Sequence, residues 1–216
     1  MNVKSKFLDL KNNGFVPKRI LDIGANIGDF TILCKEIWYE SEIYLIEANY
    51  NCEPYLKKIN EKFQIEVLSD EDDKCVDFFL TKENDVYTGN SVYLEKTEHY
   101  SSDNLIIEKR KTKKLDTIFK EDIFDLIKID TQGSELDILK GGINVIKRAK
   151  YVLIETSLKE FNKNAPLEQE IISFMNTIDF LNFIVLENHA WPVNGGLFKK
   201  GEIFQRDLIF IKNNND

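Results

Sequence analysis

Three stretches of this 216-residue chain combine glycines and acids in a way that suits ligand chemistry better than packing. The first is Asp22-Ile23-Gly24-Ala25-Asn26-Ile27-Gly28-Asp29, a D-x-G-x-N-x-G bend whose glycines let the backbone approach a ligand closely. The second is Leu45-Ile46-Glu47, where an acid closes an apolar run about 20 residues past the bend, the spacing at which a carboxylate meets ribose hydroxyls. The third runs from Lys128 through Asp130, Gln132, Gly133 and Glu135 to Gly141-Gly142.

The bend departs from a dinucleotide fingerprint, which needs glycine at positions 24, 26 and 29, where this chain has Gly24, Asn26 and Asp29. A carboxylate at the start of the following helix repels a pyrophosphate seated on its N-terminus. A phosphate-free cation suits the bend, because Asp22 and Asp130 attract positive charge. S-adenosyl-L-methionine, a sulfonium, is a molecule of that kind. The expected cofactor-binding residues are Asp22, Gly24, Asn26, Gly28, Glu47, Ser69, Asp70 and Asp130, with Ser69 and Asp70 meeting the adenine edge. The plainer readings are an ordinary strand-end acid at Glu47 and a turn at Ser69-Asp70.

Methyl transfer from a sulfonium is an in-line displacement with an activated leaving group, so alignment of acceptor, methyl and sulfur comes first. A hydroxyl acceptor also gains from a general base near the ends of strands four and five. Asp130, Glu155, Glu135 and His189 are the candidates. Asp130 could instead hold the methionine amino group, Glu135 could be a first-turn helix acid, and His189 could belong to a surface loop. Two acids and an asparagine could also hold magnesium, but the D-x-Q-G-x-E string lacks a familiar metal spacing, so no metal is expected. Segments 87–100 and 188–201 should frame an acceptor pocket, with Tyr87, Tyr93, His189 and Trp191 available to stack on a sugar or ring.

These groups need a scaffold, and short β-branched runs alternating with amphipathic stretches predict βα units around a mostly parallel sheet. Strands are expected at 19–23, 42–47, 63–68, 124–129, 151–154, 181–186 and 207–211, the last two joined as a hairpin by 188–201. Phe30, Leu33, Cys34 and Ile37 mark a helix; Asn51 is its successor's expected N-cap, with Pro54 in the first turn and Tyr55, Leu56 and Ile59 facing inward. Helices at 115–119, after a Ser134/Asp137 cap, and along Leu167, Ile171, Phe174, Met175 and Ile178 complete the pattern. Apolar alternation at 76–80 and 105–107 predicts a β-rich insertion at about 71–114 between strands three and four. The domain is expected to be single, 1–216, with a core at about 19–211.

Lysine and arginine number 29 against 37 acids, a net charge of −8 that disfavours nucleic acid and anionic membranes as partners. The basic run 109–114 reads as a solvated face or hairpin edge. Cys34, Cys52 and Cys75 lack C-x-x-C spacing and read as reduced core thiols. With no apolar leader at the N-terminus and no spanning run, the cytoplasm is the expected compartment.

The residues resemble the FkbM-type family of S-adenosylmethionine-dependent methyltransferases. The resemblance is carried by the bend from Ile20 to Asp29, by Leu45-Ile46-Glu47, and above all by the block from Lys128 to Gly142 with its D-x-Q-G-x-E-x-x-x-L-K-G string, with Leu115-Asp116-Thr117-Ile118 as a further element. It implies a class I, Rossmann-like seven-stranded sheet with helices on both faces and an antiparallel last strand, and O-methylation of a hydroxyl on a sugar, glycan or small metabolite. Nitrogen, protein or RNA methylation and a non-catalytic cofactor-binding module are the alternatives. The family usually follows the strand-two acid with proline; this chain has Ala48.

Overall fold

Ile20, Leu21 and Ile23 are buried, as are Ile43, Leu45 and Ile46, and runs apolar on both faces belong inside a sheet covered on both sides. The computed structural model describes residues 3–194 and 196–213; residues 1, 2, 195 and 214–216, which the expected domain limits and the 188–201 loop include, lie outside them. In chain order the elements are α1 (Val3–Asn12), β1 (Arg19–Ile23), α2 (Asp29–Ile37), β2 (Glu42–Glu47), α3 (Glu53–Leu56), β3 (Lys62–Ile65), β4 (Val67–Leu68), β5 (Cys75–Thr81) and β6 (Leu105–Lys113). There follow α4 (Leu115–Ile118), β7 (Leu126–Ile129), α5 (Glu135–Gly141), α6 (Ile143–Arg148), β8 (Tyr151–Ser157), α7 (Glu168–Thr177), β9 (Asn182–Ala190) and β10 (Ile203–Ile211).

Seven strands form one sheet in the order β3-β2-β1-β7-β8-β10-β9, parallel throughout except for β10, which runs antiparallel to both neighbours. This is the expected α/β sheet with its antiparallel last strand. Alternate residues feed two cores. Leu21, Ile23, Ile127 and Ile129 pack with Ile138, Val145, Ile171 and Met175 of α5, α6 and α7, while Ile20, Ile43, Leu45 and Leu126 pack with Phe7 of α1 and Cys34 and Ile37 of α2. The order reverses between β1 and β7, so a crevice opens at their carboxyl ends.

Several expectations are revised. The third strand divides at Glu66, whose N–H bonds the Glu47 carbonyl, and Val67–Leu68 leaves the main sheet to pair with β6 in a second, three-stranded sheet, β4-β6-β5. Asn49, not Asn51, caps the turn after β2: its side chain accepts the Asn51 N–H. Tyr55 is exposed, and so is Cys75, which leaves Cys34 and Cys52 as the core thiols. The strand at 124–129 starts at Leu126, and β8 to β10 extend beyond their expected limits. Helices α1 and α6 were not anticipated. Within the basic run, exposed Lys109 pairs with half-buried Asp77, but Arg110 turns inward, lying 4.1 Å from the Tyr50 ring centroid and donating to the Ala48 carbonyl. No helix among the described residues is long and apolar enough to cross a membrane.

Candidate active site

The bend after β1 is shaped by close backbone approaches. Gly24 has φ +75°, and a Cβ there would lie 1.7 Å from the Asp130 carbonyl oxygen, so the bend can rest on the end of β7 only with glycine. The N–H groups of Gly24 and Ala25 both donate to the Ile46 carbonyl, and the Asn26 N–H donates to Glu47 Oε2 at 2.7 Å. Glu47 Oε1 accepts the Asn49 N–H, also at 2.7 Å. The carboxylate ending β2 therefore holds both loops that flank it.

Beneath the bend, Lys128 extends from β7. Its Nζ donates to the Gly24 carbonyl at 3.0 Å and lies 3.5 Å from Asp22 Oδ1 and 3.4 Å from Asp130 Oδ2. Asp22 is fully buried and accepts the Thr31 hydroxyl. Burial pushes the Asp22 carboxyl above its usual range while Lys128 pulls it back. Burial likewise works against the Lys128 ammonium, but Asp130 and Asp22 outweigh it and hold that charge firmly. Two acids and one lysine leave a local charge of −1 when ionised.

The turn after β7 places Gln132 (φ +56°) and Gly133 (φ +111°) in left-handed conformations. Glu135 accepts the N–H groups of Thr131 and Gly133 at 2.8 and 3.0 Å, and burial pushes its carboxyl up to about 7. Ser134 donates instead to Thr131 Oγ1 and Asp137 accepts the Tyr93 hydroxyl, so the expected S-x-x-D cap does not form. Gln132 Nε2 donates to Asp130 Oδ1 at 3.1 Å and to Glu155 Oε2 at 2.6 Å. Gln205 Nε2 reaches the same Glu155 oxygen at 2.9 Å. Burial first, then the charges of Asp130, Asp207 and Glu135, raise the Glu155 carboxyl well above its ordinary range. Asp207, directly across from Glu155, lies 3.2 Å from His189 Nε2.

These parts line one cavity of about 510 Å³. Of the expected residues, Gly24, Asn26, Glu47, Asp130, Glu155 and Tyr87 line it. Asp22 and Gly28 support it from outside: Asp22 lies sealed beneath, and a Cβ on Gly28 would meet Ile59 at 2.0 Å. Ser69 and Asp70 stand away from the wall, the Ser69 carbonyl packed on Gly141, and residues 66–68 form the wall instead. Glu135 and His189 do not line the cavity: Glu135 holds the turn, His189 lies 3.2 Å from Asp207 at its edge, and Trp191 joins an aromatic cluster with Phe161, Phe198 and Phe204. Four groups were missed. Lys128 carried a signal, a lysine inside an apolar strand; Gln205 and Asp207 carried none, since only the antiparallel register brings them to Glu155. The fourth is the loop of Asp85 and Val86, whose carbonyls accept the side-chain amides of Asn49 at 2.5 Å and Asn26 at 3.0 Å.

A seven-stranded sheet of this order, with a glycine bend, a strand-end acid and a shared cavity at the switch point, defines a class I methyltransferase fold. The chain matches the methyltransferase FkbM domain over residues 22–185 and belongs to that family. Among solved structures it is similar to the precorrin-6y C5,15-methyltransferase of Geobacter metallireducens (11% identity, TM-score 0.52, 97% of this chain and 88% of that one). It is similar also to a TehB-like SAM-dependent methyltransferase of Corynebacterium glutamicum (13%, 0.50, 99% and 89%) and to the N-terminal domain of EvdMO1 with SAH bound (9%, 0.53, 97% and 81%). The chain spans 40% of the longer EvdMO1 chain. No curated protein sequence matches it.

Proposed function

We propose that this FkbM-family methyltransferase binds S-adenosylmethionine in the 510 Å³ cavity and transfers its methyl group to a hydroxyl of a sugar, glycan or small metabolite. The observation that carries the reading is that the bend at Gly24 to Asn26, Glu47 from β2 and Asp130 from β7 line one cavity beside a cluster of Lys128, Asp22 and Asp130 that carries a charge of −1 when both acids are ionised. A cation offsets that charge, whereas the Asp29 carboxylate in the wall repels a phosphate. The donor set fits the cofactor. Each Glu47 oxygen accepts one N–H, which leaves lone pairs for ribose hydroxyls. Phe30, Val67, Leu68 and Phe78 supply apolar wall. SAH bound to the N-terminal domain of EvdMO1, a fold neighbour, lends support.

When bound, the cofactor supplies an activated methyl group on sulfur. The chain's own task is then to align the acceptor and exclude water. Glu135, whose oxygens hold the turn after β7, is assigned a positioning role; Glu155 and Asp130, joined through Gln132, face the acceptor half of the cavity. Lys128 keeps Asp130 paired and ready to accept a hydrogen bond. Calorimetry of the full chain with S-adenosylmethionine and with NADH tests the reading: the first is expected to bind and the second to give a flat trace. Binding of NADH alone would overturn it.

A further inference from the structure

We infer that Glu155, Asp207 and His189 form a binding site for a divalent first-row cation at the acceptor end of the cavity. Cation binding stands on the geometry alone, while the catalytic use given below rests on the methyl-transfer reading.

Three adjacent strands supply the site. Asp207 of β10 lies directly across from Glu155 of β8, and His189 of β9, in register with Gln205 two residues away, returns to the same face. One carboxylate oxygen from each acid and one imidazole nitrogen all lie within 4.8 Å of one another. Two carboxylates directly opposed across strands repel each other, so a partly buried pair calls for a compensating charge. Among the described residues no lysine or arginine nitrogen lies within 4 Å of either acid; Lys128, the cation in the cavity wall, is engaged by Asp22, Asp130 and the Gly24 carbonyl.

A second, independent observation is the way Glu155 is held. The amides of Gln132 and Gln205 both donate to Oε2, fixing the carboxylate from behind, and Oε1 has no protein donor among the described residues. Outer hydrogen bonds that orient one oxygen of an acid and free the other are the usual support of a metal ligand. One imidazole and two carboxylates suit Mn²⁺, Fe²⁺ or Zn²⁺ better than Mg²⁺ or Ca²⁺, which prefer oxygen alone. Three protein ligands leave coordination positions open.

In the cavity wall, those positions suit a polyol with adjacent hydroxyls. A hydroxyl bound to the cation is acidified and loses its proton to water. Its oxygen then forms the O–CH₃ bond as the C–S bond breaks, the electron pair returning to sulfur. The D-x-Q-G-x-E string gave no hint of this, because the ligands lie on three strands and far apart in sequence.

The test is titration of the chelator-stripped full chain with Mn²⁺ alone, followed by the electron paramagnetic resonance of free Mn²⁺, with calorimetric binding of S-adenosylhomocysteine measured on the same samples. One Mn²⁺ per chain is expected. Asp207→Asn and His189→Gln should abolish binding, and Gln205→Ala should weaken it by about tenfold or more, as losses of outer partners do. Near-wild-type S-adenosylhomocysteine affinity in the variants certifies that they are folded. Free Mn²⁺ undiminished by the wild-type chain, or depletion that survives both ligand variants, overturns the site. If Mn²⁺ binds and S-adenosylhomocysteine does not, the cation site stands and the proposed function falls.

Discussion

The backbone N–H of Asn26 and the carboxylate of Glu47 meet at 2.7 Å, which makes the bend after β1 and the end of β2 one unit rather than two. Glu47 thus has two tasks, shaping the loops and facing the cavity. Glu47→Gln keeps the shape but sets an amide NH₂ against one of the two N–H donors. Because hydrogen bonds to charged groups are worth about 1.5–3 kcal/mol, stability in urea should fall by about 2 kcal/mol and S-adenosylhomocysteine affinity by about tenfold or more. Unchanged affinity would show that Glu47 serves the loops alone.

Gly24→Ala tests the close approach of the bend to β7. The new methyl group would need the space of the Asp130 carbonyl, and alanine would have to adopt φ +75°. Left-handed backbone alone costs alanine roughly 1–2 kcal/mol, and the clash adds to it. A loss of about 3 kcal/mol or more is expected by urea denaturation. Gly201→Ala is the comparison: its φ is +80° but nothing lies within 4 Å of the added carbon, so it should lose only the backbone share.

How far the sequence reveals these features depends on whether the cause is local. β1 and β2 have the expected limits because each is an apolar run closed by a glycine or an acid. The third strand could not be read as two, since the alternation at 63–68 continues while the chain changes sheets at Glu66. Arg110 looks like its basic neighbours in sequence, yet a ring and a carbonyl from the β2 loop draw it inward. The bend and Glu47 were legible as a unit because about 20 residues of βα geometry fix their spacing. Asp207 and Gln205 were not, for their meeting with Glu155 depends on an antiparallel register some 50 residues away.

The loop of Asp85, Val86, Tyr87 and Thr88 is strapped over the cavity by asparagines from both cofactor-side loops. Asn49→Ala removes the shorter strap together with the cap that accepts the Asn51 N–H, while the other lining residues keep their identities. The expected outcome is a several-fold faster dissociation of S-adenosylhomocysteine in stopped-flow displacement, with the association rate nearly unchanged, as is usual when contacts made after encounter are lost. A slowed association with normal dissociation would argue against a closing role for this loop.

Lys128 offers the sharpest electrostatic test. Replacing it by methionine strips the buried Asp22 of its counter-charge, and breaking a buried pair this way typically costs about 3–5 kcal/mol. The pH dependence has a definite sign. The folded-state pKa of Asp22 already lies above its ordinary value because of burial, with Lys128 pulling it down. Without the lysine it must rise further. A carboxyl whose pKa is higher folded than unfolded stabilises the fold below its unfolded pKa and loses that contribution as pH rises through the folded one. The deficit of Lys128→Met relative to wild type should therefore shrink when urea unfolding is measured at pH 5 instead of pH 8. A deficit that stays constant or grows toward pH 5 would mean that Lys128 stabilises by filling space and bonding the Gly24 carbonyl, and that the pairing with Asp22 contributes little.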